Sequence, residues 1–374
     1  MRTGVYSGLL LVMLVPLFFM NCDSRRIDKE TINMERLPLI EPDYCETTIP
    51  WNIAPMNFII REDCKVCYIK LTGKDGSSFS VKSSGSGLVR FPVKGWKKLL
   101  FRNRGGRITV DIVADQGSEK SRKFMSFNFY ISEEQTDPYL VYRMLYPGYE
   151  AWLDMKIVQR STEDFSENSI LENQLLENNC VNCHSFSNND PSKMLLHVRG
   201  SRSGTYFYEN GKIVRRSLKT DNMPANTVYP SWHPSGDYIV FSSNKTVQAF
   251  HSGPGKNIEV FDLFSSLVFY DVKRNEIMAC MQNDTVDYME TFPCWSPDGS
   301  CLYYCRTPQV REEFDFRDVK YDLVKVSFSR ETGSFGEPEM QFNAAAIGKS
   351  VSFPAVSPDG RSVIFTLHDY GTFS

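Results

Sequence analysis

Hydrophobic and polar positions change rhythm several times along this chain. An unbroken apolar run from Leu9 to Met20 follows Arg2; it is short for a membrane span and has the length of a signal-peptide core. Residues 23–37 are polar and charged, the texture of a tether. From Ile49 a period of two takes over. Strands are predicted near 56–60, 67–73, 78–84, 88–93, 97–103, 107–115 and 123–132, separated by turn signals such as Lys74-Asp75-Gly76 and Arg104-Gly105-Gly106. In the sixth, Ile108, Val110 and Ile112 face one way and Thr109 and Asp111 the other, as in a sheet with one buried face.

Seven such strands predict a mainly β chain that opens with an immunoglobulin-like β-sandwich over residues 49–134. Residues 135–200 read as a connector, punctuated by Pro138, Pro147 and Gly148. Its best helix runs over 169–177, where Ile170, Leu171, Leu175 and Leu176 share one face. The predicted order is therefore a signal segment (1–21), a tether (22–48), the sandwich (49–134), a short helical connector (135–200) and a repeat region (201–374).

The repeat decides the second half. Tyr229-Pro230-Ser231-Trp232-His233-Pro234-Ser235-Gly236-Asp237 recurs as Phe292-Pro293-Cys294-Trp295-Ser296-Pro297-Asp298-Gly299-Ser300 and as Phe353-Pro354-Ala355-Val356-Ser357-Pro358-Asp359-Gly360-Arg361, each followed by an apolar triplet. The prolines are 63 and then 61 residues apart. Pro-Asp-Gly sets a tight turn and the triplet a buried strand. Alternating segments at 267–272 and 321–326 supply further strands, so each unit is a small antiparallel sheet. This pattern resembles the TolB-type β-propeller repeat, which implies TolB-like blades over about half the chain. About 170 residues at this period make about three blades, fewer than the four to eight of a closed propeller. The expectation is a partial propeller: a shortened chain, a frameshifted gene or an assembly completed by another copy.

Composition narrows the partners. There are 42 basic and 45 acidic residues, a net charge of −3 and no long block of either sign. That balance excludes an electrostatic footprint for nucleic acid. Hydrophobic residues make up 41%, enough for packed cores. No Ser-His-Asp order, HExxH, phosphate-cradling Gly loop or paired-carboxylate signature is present, so no catalytic constellation is predicted.

Chemistry concentrates in Cys180-Val181-Asn182-Cys183-His184, a CxxCH. With export predicted at the N-terminus, it reads as covalent attachment of one c-type haem. Two thiols on one helical turn would reach the two vinyl groups while the adjacent His reaches the iron. A redox or structural disulfide and a zinc site, with His197 as a further ligand, are the competing readings. Cys64-Lys65-Val66-Cys67 has the same spacing without the His. On an extended strand its ends lie about 10 Å apart, so unpaired or turn-located thiols are expected. Cys294, Cys301 and Cys305 read as packing cysteines.

The apolar run stopping at Cys22 resembles the lipobox of bacterial lipoproteins, which implies lipidation of Cys22. The CxxCH neighbourhood, with Met194-Leu195-Leu196-His197-Val198-Arg199-Gly200 after it, resembles bacterial envelope lipoproteins that carry a haem motif ahead of TolB-like repeats. That resemblance implies Cys180 and Cys183 as thioether attachment points and His184 as the proximal ligand. For the distal ligand the order is His197, then Met194, then Met223, with Arg199 a candidate propionate partner. The expected protein is exported to the periplasm or cell envelope and lipid-anchored at the outer membrane. It would transfer electrons or sense redox state, docking protein partners on its sandwich and propeller. The alternatives are a non-haem scaffold that binds protein or glycan and holds a Cys180–Cys183 disulfide, and an oxidoreductase with an open haem coordination site.

Overall fold

A computed structural model describes residues 30–117, 119–145, 154–221, 223, 225–250, 258–279, 287–310 and 315–371. The signal segment, Cys22 and Cys280 lie outside them. Among the described residues the chain is mainly β with one α-helix. It divides into two compact units, the first ending at residue 139 and also containing 161–166, the second formed by 140–160 and 167–374.

The first unit holds strands β1 (Glu30–Asn33), β2 (Ile40–Glu41), β3 (Thr47–Ile49), β4 (Phe58–Ile60), β5 (Val66–Gly73), β6 (Ser78–Ser84) and β7 (Leu88–Val89), helix α1 (Val93–Arg102), then β8 (Arg107–Asp115), β9 (Lys120–Lys123) and β10 (Phe127–Ile131). Seven strands make one sheet, in which β5 lies between β6 and β8, and β8 is also paired with β9 and β10. β2, β4 and β7 make a second, smaller sheet. The predicted alternation in β8 is observed, with Ile108, Val110, Ile112 and Ala114 all buried. One core joins both sheets through Phe58, Ile69, Leu71, Trp96, Phe127 and Phe129.

Four sequence expectations are corrected here. The strand expected at 97–103 is α1, because Trp96, Leu99 and Leu100 fall at i, i+3 and i+4 and bury a helical face. That helix, and the parallel pairs β1–β9 and β3–β10, depart from the immunoglobulin-like sandwich. Residues 30–48, expected as tether, supply β1 to β3, and burial of Ile40 and Ile49 ties them to the core. Cys64 and Cys67, expected unpaired or on a turn, form a disulfide with Cα atoms 6.5 Å apart. Cys64 precedes β5 in a non-strand segment, so the pair avoids the span of three extended residues.

The second unit is a succession of antiparallel sheets. The first contains β11 (Tyr139–Leu145), β12 (Met155–Ser161) and β13 (Glu167–Glu172); the second β14 (Cys180–Phe186), β15 (Lys193–Arg199), β16 (Gly204–Glu209) and β17 (Lys212–Arg216). The third contains β18 (Thr227–Trp232), β19 (Tyr238–Phe250), β20 (Ile258–Asp271) and β21 (Glu276–Ala279). β22 (Tyr288–Trp295), β23 (Cys301–Pro308), β24 (Asp322–Ser329), β25 (Ser334–Phe335) and β26 (Glu339–Phe342) form the fourth, and β27 (Ser350–Val356) with β28 (Val363–His368) the fifth. The leading strands β14, β18, β22 and β27 pack one against the next. Apolar clusters fill the spaces between neighbouring sheets, as where Val240, Leu267 and Phe269 meet Trp295, Leu302 and Tyr304. Sheets stacked face to face around their leading strands form a β-propeller fold.

Blade structure also replaces the helical connector expected over 135–200. The helix expected at 169–177 is the end of β13 followed by one 3-10 turn, Asn173–Leu176. Leu175, placed on the apolar face by periodicity, is 76% exposed. The CxxCH lies on β14, an extended strand.

Candidate functional site

β14 and β15 pair antiparallel, with Cys180 opposite Arg199, Val181 opposite Val198 and Asn182 opposite His197. The register then slips, so that Ser185 faces Leu195 and the two residues Cys183 and His184 sit against Leu196 alone. This is a β-bulge. Cys183 takes φ +50°, a left-handed conformation that is uncommon outside glycine.

The same bulge occurs in each later leading strand. Tyr229-Pro230, Phe292-Pro293 and Phe353-Pro354 each place two residues against one partner. The first residue of each pair has φ between +49° and +53°. The CxxCH strand is thus a fourth copy of the repeat, with Cys183-His184 where the others have an aromatic residue and proline. Sequence reading missed it. The signal was Ser185-Phe186, which matches Ser231-Trp232, but the following turn carries Asn188 and Asn189 where the others have Pro-Asp-Gly or Pro-Ser-Gly. Both asparagines have positive φ, a conformation Asn tolerates. Gly299, by contrast, has both φ +74° and a His233 ring against the place a Cβ would take.

The aromatic members of the set meet one another, with ring centroids 4.6 Å apart for Tyr229–Phe292 and 4.3 Å for Phe292–Phe353. Cys183 stands beside this group, and the Tyr229 backbone amide offsets part of the rise that burial gives its thiol. Burial pushes the Cys180 and Cys183 thiols up, while Arg199 and Arg143 pull them back in part. Arg143, on β11, donates to Asn182 Oδ1, which also accepts from the Cys183 amide at 2.8 Å. This clamp, which sequence spacing did not reveal, fixes the backbone between the two cysteines. Both thiols are free, and both residues are partly exposed.

His184 points toward β11, its Nε2 3.4 Å from the Val141 carbonyl. Burial lowers its pKa, so the ring is neutral near pH 7 and keeps a lone pair for a ligand. His197 points the other way, its ring 5.6 Å from that of Phe241 in the next sheet. It is 5% exposed, and burial, then Arg199, pushes its pKa down to about 3. Nδ1 lies 2.9 Å from Thr205 Oγ1, whereas Nε2 has no partner. A cavity of about 40 Å³ lies against the ring, room for one water.

The structure therefore brings Cys180, Cys183 and His184 onto one strand but does not bring His197 to His184. Met194 is buried opposite Phe186, and Met223 packs against the cluster around Trp232. Among the described residues no group of three or more His, Cys, Asp and Glu is arranged to hold a metal ion. Two free thiols and a neutral imidazole fit the attachment chemistry of a c-type haem as a donor set. They do so from a bulged strand, in place of the expected helical turn, and His197 stays outside the set. Arg199 lies across the strand pair from Cys180. Cys294, Cys301 and Cys305 are free; Cys305 is fully buried, as expected of a packing cysteine, whereas Cys294 and Cys301 are partly exposed.

No protein-family model and no curated protein matches the chain. Solved structures do. Oligogalacturonate lyase from Vibrio parahaemolyticus is similar at 13% identity over 61% of this chain and 59% of its own, with a TM-score of 0.34. The GH74 enzyme of Niastella koreensis is similar at 11% identity over 70% and 32%, TM-score 0.37. A DUF4784 family protein from Bacteroides caccae is similar at 11% identity over 88% and 91%, TM-score 0.31. The chain thus spans 59% and 32% of the length of the first two.

Proposed function

We propose that this chain is a β-propeller protein of the cell envelope that holds one c-type haem on Cys180 and Cys183, with His184 as proximal ligand, and serves electron transfer or redox sensing. The observation that carries the proposal is the contrast between two pairs of equal spacing: Cys64 and Cys67 are joined, while Cys180 and Cys183 are free. A bound haem would supply one-electron chemistry at its iron. The chain's own part is to hold the two thiols on a bulged strand, to clamp the backbone between them through Arg143 and Asn182, and to keep His184 neutral. Arg143 and Arg199 place positive charge beside the cysteines, where carboxylates of a ligand would pair. The distal position is not assigned to His197, which faces the neighbouring sheet. Export and lipidation at Cys22 belong to the same proposal and rest on the apolar run ending there.

The test is expression in a host that matures c-type cytochromes, followed by a pyridine haemochrome spectrum and intact mass. One thioether-linked haem per chain, lost in Cys180→Ser and Cys183→Ser, is the expected result. An apoprotein with a Cys180–Cys183 disulfide overturns it.

That opposite outcome would favour a second reading, a non-haem scaffold that binds protein or glycan. It has its own support: Cys183 occupies a place that the other repeats fill with aromatic side chains, so its thiol has a packing role independent of any cofactor.

A further inference from the structure

His197 takes no part in the cysteine site, and its surroundings describe a different one. The cavity beside its ring, about 40 Å³, exceeds the ~10–15 Å³ that a water needs. It is far below the ~300–1,000 Å³ typical of small-molecule sites. Its wall comes from two neighbouring sheets: His197 and Arg199 on β15, Thr205 on β16, Lys219 after β17, and Asn226 and Thr227 where the chain enters β18.

The ring carries an unmet hydrogen bond. Nδ1 is engaged by the Thr205 hydroxyl at 2.9 Å, and the buried Nε2 at the other edge has no partner. A neutral imidazole has a single N–H. If Thr205 donates to Nδ1, that N–H sits on Nε2 and needs an acceptor. The other tautomer leaves a lone pair on Nε2, which needs a donor or a metal cation.

The charge of the wall decides between the two. Arg199 and Lys219 line the cavity and no aspartate, glutamate or cysteine does. Neither basic side chain forms an ion pair or hydrogen bond with a described residue. A metal cation would meet two like charges and one nitrogen ligand, where soft metals are held by several donors. A water would satisfy Nε2 and leave the positive wall unbalanced. An anion meets both cations, the Nε2 N–H, the Asn226 amide and the Thr227 hydroxyl, and hydrogen bonds to a charged acceptor are the stronger kind.

We infer that this cavity binds one monovalent anion of halide size, such as chloride, between the second and third sheets of the second unit. Volume, and not charge, excludes polycarboxylates and other large anions. The bound ion would clasp the segment around Lys219 to the entry of β18. Haem attachment is not required for this: Arg199 also lies opposite Cys180, but Lys219 and His197 Nε2 belong to the cavity in either case.

The test is line broadening of the chloride magnetic resonance by the full chain, since exchange with a slowly tumbling protein broadens the narrow line of the free ion. The expected result is a saturable broadening that bromide reverses and that sulfate at equal ionic strength does not. His197→Phe keeps a ring beside Phe241 and removes both nitrogens, and should abolish the broadening. Lys219→Gln, at an exposed position, should weaken chloride about fivefold, the size of one exposed charge pair, with an unchanged circular dichroism spectrum. Chloride should also raise the thermal midpoint over gluconate in the wild type and not in His197→Phe. No saturable broadening, reversal by sulfate as readily as by bromide, or a broadening that either substitution leaves unchanged would each overturn the inference.

Discussion

The two CxxC pairs of this chain share a spacing and little else. In the first unit Cys64 and Cys67 close a disulfide at the edge of one continuous apolar core. In the second, Cys180 and Cys183 stay open on the leading strand of a blade, and the core is divided into separate clusters between sheets. Polar groups lie within those layers. Asp262, 1% exposed, accepts from Asn244 Nδ2 at 3.0 Å and from Tyr321 Oη at 2.9 Å. The contrast teaches that spacing proposes a chemistry and the local backbone disposes of it. A loop before β5 lets two thiols meet, while a bulge with one left-handed residue turns the second pair toward different neighbours.

The sharpest way to break the comparison is to rewrite the open pair as an ordinary repeat. Cys183→Tyr with His184→Pro should leave a folded blade, since both types occupy this bulge elsewhere, and should abolish covalent haem completely. Circular dichroism and the haemochrome spectrum read the two effects, and loss of fold would show that the bulges are not equivalent.

Next in size is the core of the first unit. Trp96→Ala removes a fully buried ring and its bond to Ile53, and should cost about 4 kcal/mol in denaturant unfolding. A loss below about 1 kcal/mol would mean that this core tolerates cavities.

The second unit should respond to pH. Burial holds the Asp262 carboxyl up to about 6, against an ordinary 3.8. A raised folded-state value stabilises the protonated fold, so its contribution is fully present below about pH 4 and is lost as pH rises through 6. The loss is about 3 kcal/mol. Glu290, held up to about 7 by burial, extends the same window upward. Asp262→Asn should flatten the stability profile between pH 4 and 6, and an unchanged slope would remove Asp262 from this account.

The smallest effect is expected at the closed pair. Cys64→Ala opens a disulfide of sequence separation three. So short a loop contributes roughly 2 kcal/mol or less. Reduction with dithiothreitol should reproduce the shift in the wild type and leave Cys64→Ala unaffected.

Much of the β architecture was legible in advance. β5, β6 and β8 lie within a residue or so of their predicted bounds, because period-two alternation reports directly on a sheet with one buried face. The three turns at residues 233–237, 296–300 and 357–361 were equally plain, since Pro, Asp and Gly impose local dihedrals. α1 was misread because an i, i+3, i+4 apolar set in ten residues also looks like a short strand between turns. Residues 169–177 failed in the opposite sense: as a strand end and a 3-10 turn they bring Leu171 and Leu176 against Met155, Ile157 and Val181, while Leu175 stands in solvent.

The CxxCH marks the boundary between the two kinds of information. Its residue types and spacing, and so the reading of a thiol-linked haem, belong to the sequence alone. That Cys183 stands in the bulge of a fourth blade, that Arg143 clamps the backbone beside it, and that His184 and His197 turn to opposite neighbours were decided only by the tertiary structure. The reason is physical. Strand pairing places residues by register across chain separations that no local pattern encodes, and a one-residue bulge is enough to redirect a side chain to the other side of a sheet.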